Sequence, residues 1–170
     1  MRLGFFRLAI APFLICQLLL PATAEEANAD SILADVRGMS LMKEAKYKEA
    51  IAAFDEAIQA DASNWTAYVH RSKAYVKEGK YEEALSSADR AIKLQPKKAT
   101  CYVSRAQALM KMSQTSNALA ELNKAIMFDP QSGEAYYWRA KVWAQLGNLD
   151  RSLKDRASAA HYGYVPAPGD

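Results

Sequence analysis

The chain has 170 residues, a formal net charge of +3 and two cysteines, Cys16 and Cys101. That length suits a single domain of ordinary size. The small net charge, with no basic stripe and no arginine-rich arm, excludes a nucleic-acid-binding role.

The first 24 residues read as a secretory signal peptide. Arg2 and Arg7 charge the start, Leu8 to Leu20 is an apolar run broken only by Pro12 and Gln17, and Pro21-Ala22-Thr23-Ala24 places small residues three and one before a cut after Ala24. A charged start, an apolar middle and an Ala-x-Ala end are the three parts of such a signal. The run is shorter than the roughly 20 residues a membrane-spanning helix needs, so any membrane contact is expected only through this segment if it stays uncleaved. Cys16 follows Ile15, where a lipid-attachment signal would carry a small residue, so lipidation is not expected. Taking Arg2 and Arg7 from the 22 basic residues leaves 20 against 19 acidic ones, so the mature protein is almost neutral. Cys101 is then the one cysteine left. An exported chain with no internal disulfide must draw its stability from packing, and the expected destination is periplasmic or secreted.

Residues 25–30 read as a short acidic leader, with Asp30 as the N-cap of the first helix. Beyond it one spacing governs the sequence. Arg37, Arg71, Arg105 and Arg139 stand 34 residues apart; Ala57, Ala91, Ala125 and Ala159 keep the same step, as do Tyr68, Tyr102 and Tyr136. A fixed period of this length signals stacked units. The units are 31–64, 65–98, 99–132 and 133–166, with a tail at 167–170. Each reads as two amphipathic helices joined by a tight turn. In the second unit the helices are expected over Trp65 to Glu78 and Tyr81 to Leu94. Gly79 and Gly147 suit the left-handed turn past a helix end; Ala45 and Ser113 replace them in units one and three, where the turn is expected to be somewhat strained or looser. Pro96 and Pro130 stop the second helices. Asn64 and Ser132 are N-caps, whereas Lys98 caps nothing.

The columns resemble the tetratricopeptide repeat family. Unit two matches through Tyr68, Ser72, Tyr75, Tyr81, Ala84, Ala91 and Pro96; unit three through Tyr102, Ala106, Leu109, Ala118, Leu122, Ala125 and Pro130; unit one through Gly38, Leu41, Tyr47, Ala50, Phe54 and Ala57; unit four through Tyr136, Ala140, Trp143, Leu149 and Ala159. The resemblance implies an all-α solenoid of helical hairpins, with three clear repeats and a fourth, degenerate one closing the array. Gly38, Ser72, Ala106 and Ala140 are expected opposite Ala50, Ala84, Ala118 and Ser152, because only small side chains let helix axes approach to about 8 Å. Arg156 stands in the column of Phe54 and Leu122, so 150–162 is expected to present a polar outer face, as a terminal repeat requires.

No metal-ligand spacing, phosphate loop or nucleophile motif is present. The expectation is therefore no enzyme, no cofactor and no metal. What the family resemblance implies instead is binding of another protein or peptide along a groove lined by the first helices. Carried onto this chain, that groove comprises Asp35, Met39 and Lys43; Val69, His70, Lys73 and Lys77; Val103, Ser104, Gln107 and Lys111; and Glu134, Tyr137, Trp138 and Lys141. Tyr137 and Trp138 are of the kind that anchors interfaces. Lys43, Lys77 and Lys111 repeat the 34-residue step and are read either as a grip for an acidic peptide or as a solvated rim. The lysine and asparagine set of the family's carboxylate-clamp subgroup is missing: Asp35, Met39, Thr100 and Ser104 stand there. The arginine column is read as packing within the stack, with binding of an anionic polymer as the other reading. Cys101 is expected to be a small buried hydrophobe. The resulting picture is a monomeric exported adaptor of a cell-envelope or secretion assembly. Its rivals are a self-associating subunit stacked through its ends and a binder of anionic polysaccharide.

Overall fold

The structure, a computed structural model, describes residues 24–166; the segment assigned as a signal peptide and the tail 167–170 lie outside the described residues, Ala24 apart. Eight α-helices and no strand make up the described chain: α1 (Ala24–Lys43), α2 (Tyr47–Ala60), α3 (Trp65–Glu78), α4 (Tyr81–Leu94), α5 (Ala99–Lys111), α6 (Thr115–Phe128), α7 (Gly133–Gln145) and α8 (Leu149–His161). The helices of unit two fall where the sequence puts them.

Each pair folds back through a short turn whose key residue is left-handed: Ala45, Gly79, Ser113 and Gly147, with φ of 57°, 82°, 60° and 75°. The next residue's N–H then closes on a carbonyl five positions back, as in Lys80 to Tyr75 at 2.9 Å and Gln114 to Leu109 at 2.8 Å. These bonds satisfy carbonyls that a helix end leaves open. Ala45 and Ser113 hold this geometry against the steric cost of a Cβ. The Asn64 side chain accepts a bond from the Ala67 N–H and that of Ser132 from the Ala135 N–H. Lys98 makes no side-chain cap.

One boundary differs from the sequence reading. Helix α1 begins at Ala24, so residues 25–30 form its early turns and Asp30 is an exposed residue within the helix, not its cap. Glu25 and Glu26 lie in the first turn, where acidic side chains complement the helix dipole. The polar residue that settles the position is instead Ser31. It is fully buried, donates to the Ala57 carbonyl at 2.8 Å and accepts from the Asn64 amide at 2.8 Å.

Within the pairs, small residues meet as expected. Ala50, Ala84, Ala106, Ala118 and Ala140 have no exposed surface. Ser72 donates across the crossing to the Ala84 carbonyl at 2.8 Å, and Ser152 to the Ala140 carbonyl at 2.9 Å. Gly38 faces the Phe54 ring. The first helices α1, α3, α5 and α7 also touch one another in succession, whereas among the described residues the second helices touch only first helices. The array therefore has two layers and curves about the side where the first helices crowd. The connector after α8 follows the path of an interior one: Tyr162 stacks on Tyr136 with centroids 5.7 Å apart, as Phe128 packs on Tyr102 at 5.2 Å.

Helix α8 departs in part from the expected polar cap. Lys154 and Arg156 are exposed, but so are Leu149 and Leu153, at 66% and 63%. Asp155 turns inward and is 6% exposed. The sequence shows charges at 154–156, but one step along a helix turns a side chain by about 100°, so adjacent charges do not share a face.

A Cβ at Gly38 would lie 2.8 Å or less from three carbons of the Phe54 ring, which is fully buried. Gly38→Ala should therefore destabilise the protein by about 1–3 kcal/mol, although alanine gains nearly 1 kcal/mol in helix propensity. Urea denaturation measures the cost, and the same change made in a Phe54→Leu background should be close to neutral.

Candidate functional site

The inner face is built from stripes three or four residues apart on the first helices, the spacing that keeps side chains on one side. On α1 the stripe is Asp35, Met39 and Lys43. Asp35 is 8% exposed and its Oδ1 lies 2.8 Å from His70 Nδ1 on α3. The His70 ring in turn packs against Phe54, with centroids 5.7 Å apart. The carboxylate that the sequence places in the groove is thus engaged in tying unit one to unit two.

On α3, Lys73 reaches over α5 to Glu134 on α7, Nζ to Oε1 2.7 Å. Two residues assigned separately to the groove therefore form one ion pair bridging units two and four. Val69, Val103, Ser104 and Gln107 are buried. The Ser104 hydroxyl donates to the Thr100 carbonyl of its own helix at 3.1 Å. These side chains form the packed floor. Met39, Lys43, Lys77 and Lys111 are exposed at the rim. Each of the three lysines sits in the last turn of its helix, where a cation complements the dipole. That accounts for their 34-residue step without a ligand.

At the far end, Tyr137 is half-buried against Trp138 and Tyr164, with centroids 5.4 Å and 5.2 Å away. Trp138 itself is 8% exposed. The Lys141 ammonium covers it, 4.7 Å from the ring centroid, and also lies 5.5 Å from that of Tyr137. This cluster offers a ligand the Tyr137 edge and the Lys141 stem, not the indole face that the sequence suggests.

The arginine column is structural. Arg71 on α3 bonds Asp55 on α2 at 2.5 Å and Ser87 on α4 at 3.1 Å. Arg105 on α5 lies 3.4 Å from Asp89 on α4 and 3.8 Å from Glu121 on α6. Arg139 on α7 bonds Asn123 on α6 at 2.9 Å and grips Asp155 on α8 with two bonds of 2.7 and 2.8 Å. Each partner stands 16 residues before or after its arginine. Arg37, in unit one, pairs with Glu56. The partners form their own column, Asp55, Asp89 and Asn123, at the same 34-residue step. The signal was in the sequence, but only the fold says that this column faces the arginines.

Cys101 is fully buried, and that burial pushes its thiol up to about 11. Among the described residues no group of three or more His, Cys, Asp or Glu is placed to hold a metal ion. A concavity of about 630 Å³ lies between α3 and α4, lined by Tyr68, Arg71, Leu85 and Arg90 among others, none of them a residue assigned to the groove.

The tetratricopeptide repeat model matches residues 36–99 and again 103–164, which is most of the chain. The protein belongs to the tetratricopeptide repeat family. No curated protein matches it. Among solved structures, a thermophilic tetratricopeptide repeat protein of Thermus thermophilus superposes with a TM-score of 0.74 at 18% identity, covering 78% of this chain and 74% of that one. The first tetratricopeptide repeat domain of Spaghetti (RPAP3), bound to the HSP90 peptide SRMEEVD, gives 0.64 at 22% identity over 71% and 95%. The second such domain of human RPAP3, in complex with the HSP70 peptide SGPTIEEVD, gives 0.62 at 25% over 71% and 98%.

Arg139→Ala leaves the nearly buried Asp155 carboxylate unpaired and should cost about 2–3 kcal/mol in urea denaturation. The more exposed Arg37→Ala should cost less than about 1 kcal/mol. For Cys101, alkylation at pH 8 should be slow in the folded tetratricopeptide array and fast once it is unfolded in urea. Because its folded-state value is raised from 9.0 to about 11, the folded protein holds a proton that the unfolded chain releases, so this thiol's contribution to stability falls as pH rises from 9 to 11.

Proposed function

We propose that the protein is an exported adaptor that holds a segment of another polypeptide along its concave face. One observation carries this reading: the first helices of all four pairs form a single inner layer, with a packed floor and an exposed rim of Met39, Lys43, Lys77 and Lys111. A preformed concave surface of this kind costs little conformational entropy when a partner docks. The peptide complexes of the two RPAP3 domains support it by the fold they share with this chain. A terminal-carboxylate grip is disfavoured, because Asp35, Met39, Thr100 and Ser104 replace the residues that would make it. The partner segment is read as extended and internal, crossing the Lys73–Glu134 bridge.

Export is proposed on the sequence of residues 1–24, and places the partner in a periplasmic or secreted assembly. A binder of anionic polymer through the arginine column is disfavoured, since Arg71, Arg105 and Arg139 are already engaged with side chains of neighbouring helices.

Two measurements check the proposal. N-terminal sequencing of the protein from its native compartment should begin at Glu25; a chain starting at Met1 contradicts cleavage, and recovery of that chain in the cytoplasmic fraction contradicts export. A photoreactive side chain at Met39 or Lys111 on the inner face should give a partner adduct in the native cell, whereas one at Lys93 or Met127 on the outer layer should not. Adducts only from the outer layer would move the site off the groove.

A further inference from the structure

Both ends of the array expose large apolar side chains among charged ones. On α1, Ile32, Leu33 and Val36 are 52%, 68% and 57% exposed, with Arg37 exposed beside them; on α8, Leu149 and Leu153 are 66% and 63% exposed, with Lys154 and Arg156 exposed beside them. Terminal repeats ordinarily carry polar outer faces, and a contiguous apolar patch on a small soluble protein marks an interaction surface.

The 34-residue step says what each face would meet inside a stack. Leu153 stands in the column of Ile51, Leu85 and Leu119, which are buried or packed against the core in the interior units. Leu33 stands in the column of Ala67, Cys101 and Ala135, none of which has exposed surface. Interior junctions set a large residue of the second helix beside a small one of the following first helix: Ile92 packs in the cluster of Cys101, and Ile126 in that of Ala135. Continued past α8, the same register would set Ala160 beside Leu33 of a further copy. The second helix now supplies the small residue and the first helix the large one. Such an exchange keeps the packed volume, which is the substitution pattern cores tolerate best.

We infer that the chain self-associates head to tail, α8 of one copy docking on α1 of the next in the manner of an interior α2–α3 junction. The contact is heterologous, so it propagates and does not close at two. It is weaker than an interior junction, because Ala157 stands where Asp55 and Asp89 supply carboxylates to the arginine of the following helix, leaving Arg37 of the next copy with its own Glu56. The inference is independent of what the groove binds.

Sedimentation velocity over a concentration series, up to about 500 µM, tests it within the range of weak association. The purified protein should show a sedimentation coefficient that rises with concentration and reaches no plateau at a dimer. Leu33→Lys and Leu153→Lys each spoil one end and should each remain monomeric, with helicity unchanged because both sites are exposed. Mixed together, they should form a dimer and nothing larger, since each variant keeps one intact end. A protein monomeric throughout, a series that stops at a dimer, or association indifferent to both substitutions overturns the inference. The last result would assign association to some other segment.

Discussion

The fold depends on how closely the two helices of a pair can approach. At each crossing the side chains are small, and Ala50, Ala84, Ala106, Ala118 and Ala140 are sealed from solvent. Where serine stands in these columns, at Ser72 and Ser152, its hydroxyl bonds a carbonyl of the facing helix, so the close approach leaves neither hydroxyl unpaired. Close pairing within units leaves the first helices near enough to touch their successors while the second helices stay apart. That asymmetry produces the curvature, and the curvature produces the inner face. A bulky residue at any crossing would act on the groove through this chain of contacts without touching it.

Between units, apolar packing supplies the energy and polar pairs set the register. Arg71, Arg105 and Arg139 each reach one helix behind and one ahead. Their partners Asp55 and Asp89 are about half exposed, so those pairs add little to stability. The bidentate Arg139–Asp155 pair, with both side chains largely buried, holds the last helix and matters more. On the inner face Asp35–His70 and Lys73–Glu134 repeat the theme over different spans, the second passing over a whole unit. Side chains that look in the sequence like a basic lining are in part the ties that keep neighbouring repeats aligned.

Period and residue size made the architecture readable from the sequence. The 34-residue columns gave the units, the helices of unit two, the left-handed turns at Ala45, Gly79, Ser113 and Gly147, and the small residues at the crossings. What the period cannot give is the identity of a residue's neighbour on another helix. Asp30 looked like a cap because it holds the column of Asn64 and Ser132, yet favourable helical sequence upstream carries α1 back to Ala24. Trp138 looked like an exposed anchor, yet its neighbours Tyr137 and Lys141 fold over it. Asp155 looked like part of a polar end, yet it answers Arg139. Each of these depends on rotation about a helix axis or on reach across units, which a column of matching letters does not carry.

Two surfaces of different chemistry result: a concave face with a lysine-edged rim, and two ends that expose Leu33 and Val36 on α1 and Leu149 and Leu153 on α8. Both exist only if the pairs pack at the close distance their small residues permit. Urea unfolding of Ala84→Leu, followed by tryptophan fluorescence, tests that claim most directly. The account predicts a loss of about 1–3 kcal/mol from overpacking at a site with no exposed surface. A midpoint and slope equal to those of the unaltered protein would show that the helices of unit two do not meet there, and would contradict the account.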